Sequence, residues 1–173
     1  MGGFVGMRLA IHYPELLKSL ILIETTADPE PKENIPRYKM LNFVARWFSL
    51  NLVVKRVMPI MFGKKFITDP NRKEIREEMR KRILSNHRIG ITHAVNGVIY
   101  RNGVYDQLGK IKIPTLIIVG DQDVATPLEK SKRMHEAIVD SKLVVIPGAG
   151  HTSTIEEPQK VTKELNNFLQ TLD

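Results

Sequence analysis

Two short loops carry the residue types that acid–base chemistry needs: Gly120–Pro127, read GDQDVATP, and Pro147–Pro158, read PGAGHTSTIEEP. A carboxylate on one loop and an imidazole on the next make the pair used in general-base catalysis. The acid orients the ring and stabilises the imidazolium, and the second ring nitrogen is left to take a proton. Asp123 and His151 are the candidates for these two roles. Either aspartate of the first loop could instead cap its own backbone, and a solitary histidine is commonly structural. Ser153, flanked by Thr152 and Thr154, is weighed as a nucleophile, although a hydroxyl two residues from His151 seldom reaches attack geometry. His87 and His93 are six apart, which is no same-face helical spacing, and no carboxylate–histidine cluster in the sequence suggests a metal. There is no cysteine, so disulfides, thiolate metal sites and cysteine nucleophiles are excluded. No cofactor motif is read.

Such loops can meet only if strands deliver them to one edge of a sheet. Leu16–Thr25, Thr115–Asp121 and Lys142–Gly150 read as buried parallel strands, short, rich in β-branched residues and bounded by Gly, Pro or Asp. Helices are expected at Phe4–His12, Pro127–Val139 and Gln159–Leu172. The second should start with Thr126 as N-cap, Pro127 in the first turn and Glu129 closing a capping box. The third should place Val161, Leu165, Phe168, Leu169 and Leu172 on one face. This alternation implies an α/β layer structure, in which ligands bind outside the carboxyl ends of the strands.

Between these parts the pattern changes. Residues 27–109 read as several helices with no strand, a helical cap or lid inserted in a core formed by 1–26 and 110–173. The net charge of +7 is concentrated here: Arg37–Arg88 holds fourteen Lys/Arg against four Asp/Glu. The charges interleave with apolar residues four apart (Ile75, Met79, Ile83), so they read as the solvated face of an amphipathic helix, and no nucleic-acid partner is expected. No apolar run is long enough to span a bilayer and no signal-peptide pattern opens the chain, so a cytoplasmic protein is expected.

Three pieces in this order resemble the α/β-hydrolases of the esterase, enol-lactonase and haloperoxidase-like group. MGGFVGMRLAIHYPELLKSLILIET is similar to the segment that follows their nucleophile, IPTLIIVGDQDVATP to their acid strand and loop, and GAGHTSTIEEP to their histidine loop. The resemblance implies a truncated α/β-hydrolase fold: a short, mostly parallel sheet of about three strands with flanking helices and a helical lid. It implies His151 as base, Asp123 as its orienter, and hydrolysis of small acyl esters or lactones without a cofactor. Met1, Gly2 and Gly3 match the residues just after the family's nucleophile serine, which would stand immediately before Met1 and is absent from this sequence. The strands before that turn are likewise missing, together with one oxyanion donor. An unpaired sheet edge then invites pairing with another copy, and a homodimer through that edge or through lid exchange is expected. The alternative is a non-catalytic hydrolase remnant that binds ligands or self-assembles.

Overall fold

The computed structural model describes residues 1–172. It contains one sheet of three parallel strands, β1 (Leu20–Ile23), β2 (Thr115–Gly120) and β3 (Ser141–Ile146), in the order β1-β2-β3. The register aligns Leu20 with Thr115 and Ile23 with Ile118 on one side of β2. On the other side Thr115 meets Ser141 and Gly120 meets Ile146. All six residues of β2 are buried, as expected of a central parallel strand covered on both faces.

Alternation along β2 divides the core. Ile117 points to one face, where it packs with Leu22, Leu108, Ile111, Phe4 and Met7 of α1 (Gly2–His12), and Met134 of α7 (Leu128–Ala137). Leu116 and Ile118 point to the other face, against Ile146 and against Val161 and Phe168 of α9 (Pro158–Leu169). Burying each such side chain is worth about 1.5–3 kcal/mol, so β2 is the element that both layers need.

Several expected boundaries move, each for a local reason. β1 begins at Leu20, because Pro14–Leu16 closes a 3₁₀ turn ahead of it. β3 stops at Ile146: Pro147 has no N–H for the ladder, and Gly148 turns the chain with a φ of +79°. The capping box before α7 does not form. Pro127 is the N-cap residue, with no side-chain cap bond, and the Thr126 side chain is turned towards Asp123, to which its hydroxyl donates. Glu129 lies exposed beside Lys132. In α9, Leu169 is exposed rather than on the buried face.

The described residues divide into two compact units: residues 1–28, 60–66 and 103–172 form the sheet-bearing unit, and residues 29–59 and 67–102 form a helical one. The expected insertion over 27–109 therefore loses both its end and a central piece to the core. Val104 and Leu108 enter the core cluster, and Phe62 and Phe66 are buried and stacked at 4.8 Å. Within the helical unit, α2 (Ile35–Trp47) packs on α6 (Arg88–Ile99), and α3 (Leu50–Met61), α4 (Lys64–Thr68) and α5 (Lys73–Leu84) lie between them in the chain. Asn42 Nδ2 donates to the Thr92 carbonyl at 3.0 Å and to Asn96 Oδ1 at 2.8 Å. A buried Glu30–Arg101 ion pair at 3.1 Å closes this unit. Trp47 and Phe48 are 67% and 61% exposed. On the surface of the basic helix, Glu78 and Arg82, one turn apart, pair at 2.6 Å.

Gly120 ends β2 where the backbone of Ala149 and Gly150 crosses it, so closely that a Cβ would collide with the Ala149 carbonyl. Gly120→Ala is expected to cost about 1–3 kcal/mol through this overpacking. Urea unfolding would read it as a lower midpoint at an unchanged m value.

Candidate active site

The three strand ends meet at one edge of the sheet, within the sheet-bearing unit. Beyond β2 the chain turns tightly, and the Asp123 carboxylate, buried in that turn, gathers four donors around it. Oδ1 accepts the amides of Ala125 and Thr126 at 2.8 and 2.9 Å. Oδ2 accepts the Thr126 hydroxyl at 2.7 Å and lies 2.9 Å from His151 Nδ1. Burial alone would raise the Asp123 pKa; hydrogen bonding and charge attraction from His151, with the Thr126 bonds, outweigh it and hold the carboxyl below its ordinary value. An ionised carboxylate only accepts, so His151 Nδ1 carries the proton that joins the pair. His151 Nε2 makes no hydrogen bond among the described residues, and the ring is 24% exposed.

The His151 loop is held from below by Glu156. Its Oε1 accepts the Gly150 amide at 2.9 Å and its Oε2 the Gly63 amide at 2.8 Å. The Thr152 hydroxyl lies 3.1 Å from the same carboxylate and 3.0 Å from the Met61 carbonyl. Asp121 accepts the Gly148 amide at 2.7 Å. These bonds explain why residues 60–66 pack with the core: their backbone is needed to seat the loop.

Glu24, at the end of β1, is the residue that the sequence did not single out. The parallel register continued by one step would give the Gly120 amide to the Glu24 carbonyl. The amide instead reaches both oxygens of the Glu24 side chain, each at 3.0 Å. Glu24 has a φ of 47°, a left-handed conformation uncommon outside glycine and asparagine. One ligand-type atom each from Glu24, Asp123 and His151 lies within 4.8 Å of the others. Asp123 and His151 are bonded to each other and Glu24 to the Gly120 amide, so these atoms are already engaged within the protein. Burial, first, and the neighbouring Asp123 push the Glu24 carboxyl up to about 8, against the smaller opposing pull of Ser153 and Gly120.

Ser153 opens the short helix α8 (Ser153–Glu156) and is fully buried. Its hydroxyl sits near the Glu24 carboxyl at a geometry short of a formed bond, and it makes no hydrogen bond to His151 among the described residues. Met1 precedes α1 and its carbonyl accepts the Phe4 amide at 2.9 Å. Gly3 lies so close to Thr25 that a Cβ there would collide with the threonine side chain. The Met1–Gly3 turn is therefore packed against the segment that carries Glu24.

A parallel sheet with an acid loop after one strand and a histidine loop after the next, joined by a 2.9 Å bond, defines an α/β-hydrolase core. The chain belongs to the Ndr family, whose profile it matches over residues 1–172. It is 30% identical to 3-oxoadipate enol-lactonase 2 of Acinetobacter baylyi, over 92% of this chain and 57% of that protein. Among solved structures it is similar to an esterase from Thermogutta terrifontis, with a TM-score of 0.88, 29% identity, and coverage of 99% of this chain and 62% of the other. The enol-lactonase of Burkholderia xenovorans LB400, at 22% identity and a TM-score of 0.87, shares the fold over 98% of this chain and 63% of its own. The chain spans less than two thirds of the length of these relatives. No helix among the described residues is long and apolar enough to cross a membrane.

The Glu24 environment sets a pH dependence of stability. In the unfolded chain this carboxyl ionises near its ordinary 4.5, and in the fold near 8, so between those values the folded state holds a proton that the unfolded state has released. Stability then falls as pH rises through this window, by at most about 1.4 kcal/mol per pH unit, and levels off above it. Glu24→Gln removes that loss. Its stability relative to the unsubstituted protein should be small at pH 5 and increase towards pH 8, measured by urea unfolding across the range.

Proposed function

We propose that this chain carries the acid–base half of a hydrolase site for small carboxylic esters or lactones. His151 acts through Nε2 as general base, and Asp123 holds the ring in the required tautomer and stabilises the imidazolium. The observation that supports this best is the 2.9 Å Nδ1–Oδ2 pair, with the opposite ring nitrogen left without a protein partner among the described residues. The likeness to an enol-lactonase and an esterase supports the substrate class. In sequence the helical unit, which exposes Trp47 and Phe48, corresponds to the expected cap. Three groups are in view for the nucleophile: a serine ahead of Met1, as the family pattern has it, Ser153 after rearrangement, or a water activated by His151.

A second reading, a non-catalytic member that binds ligands or self-assembles, is favoured by one observation: Ser153 is fully buried and turned to Glu24 rather than bonded to His151. In either reading β1, which pairs with β2 alone among the described strands, offers its other edge to a second copy, and a cytoplasmic homodimer is proposed.

Hydrolysis of short p-nitrophenyl esters tests the first reading. His151→Ala is expected to lower kcat by 10²–10⁴-fold, the usual worth of a positioned base. Turnover equal to the buffer blank in the unsubstituted protein would instead support the second reading. Labelling with a fluorophosphonate and peptide mapping identifies any serine that attacks. For assembly, light scattering after size exclusion should give twice the 19.7 kDa chain mass, and a monomer at tens of micromolar protein would end the dimer proposal.

A further inference from the structure

The acid–base pair described above uses Asp123 and His151, and leaves a third buried acid unexplained. Glu24 reaches the same spot from a different strand. Its carboxyl is clamped by the Gly120 amide on both oxygens, is approached by the Ser153 hydroxyl, and lies within 4.8 Å of both Asp123 and His151 ligand-type atoms. A glutamate in an ordinary strand conformation would continue the ladder; the left-handed backbone at Glu24 ends it and frees the Gly120 amide for the side chain. Residues held in such conformations concentrate where a site needs them.

We propose that Glu24 is a positioning residue of this site: clamped by Gly120, it hydrogen-bonds to Asp123 and fixes the carboxylate that orients His151.

The inference rests on the acid–base role assigned to Asp123 and His151. Two carboxyl groups this close and this buried do not both ionise, because like charges in a poorly solvated spot raise the second group's affinity for a proton. Asp123 has four interactions favouring its charged form, so Glu24 keeps the proton and donates it towards Asp123. The titratable groups facing Glu24 are Asp123, from the turn after β2, and His151, from the loop after β3. Deprotonation places a second negative charge against Asp123, replaces a donor with a repelling group, and loosens the bond to His151. The site is thereby tuned to neutral pH, with loss of alignment on the alkaline side.

Two measurements test this. The first needs no turnover: carbon-13 NMR of the glutamate side-chain carboxyls in the full chain. The Glu24 resonance should titrate near pH 8, and Asp123→Asn should lower that midpoint. A midpoint near the ordinary 4.5, or one that Asp123→Asn leaves in place, overturns the proposal. The second is the pH profile of p-nitrophenyl acetate hydrolysis. Glu24→Ala should lower kcat at least tenfold with little change in KM, Glu24→Gln should restore most of that loss, and the fall in rate above pH 8 should disappear in Glu24→Gln. Hydrolysis that needs His151 but follows one pH profile in all three proteins overturns the role of Glu24 and leaves the hydrolase reading standing. If the unsubstituted protein does not hydrolyse the ester, the hydrolase reading fails, and the carboxyl titration alone decides whether Glu24 and Asp123 form the pair.

Discussion

The buried carboxylate of Asp123 is the interaction on which the rest of the site depends. A charge removed from water is costly unless donors surround it, and here two amides, a hydroxyl and an imidazole do so. Two of these donors shape the structure elsewhere. Thr126 turns its hydroxyl towards Asp123 and makes no cap bond to α7, which starts uncapped at Leu128. His151 must approach from the loop after β3, which requires the chain to cross directly over Gly120.

That crossing explains a run of small residues. Gly63, Gly120, Ala149 and Gly150 bring three backbone segments together without room for larger side chains. Glu156 then satisfies the amides this leaves exposed inside the fold, bonding Gly63 and Gly150 at once. Buried backbone amides need partners, and a single carboxylate supplying two of them ties residues 60–66 to the histidine loop. The site is thus built on backbone packing first and on catalytic residue types second.

Family membership and fold fit this picture well. The Ndr family match extends over residues 1–172, and the esterase and enol-lactonase structures superpose on nearly all of this chain while extending well beyond it. The shared part contains the acid and histidine loops and the sheet that presents them. General hydrolase chemistry in the relatives is consistent with the Asp123–His151 geometry.

Much of this was legible in the sequence. The three strands show as short β-branched runs, and β2 as an unbroken apolar one, because a strand covered on both faces cannot alternate. Asp123 and His151 show because each follows a strand and sits among turn residues, so their meeting follows from the rule that parallel strands end at one edge. What tertiary structure alone decided are the contacts that depend on exact approach. The TPLE segment reads locally as a capping box, yet Thr126 serves the more demanding buried charge. Residues 60–66 read as part of a helical insertion, yet Glu156 draws them into the core. Glu24 ends an apolar strand, an acidic residue at a strand end and hence a faint signal, but nothing local says that its side chain will replace a backbone acceptor beside Asp123. Sequence periodicity records which face of an element is apolar; which buried polar groups become partners is set by three-dimensional proximity between segments distant in the chain.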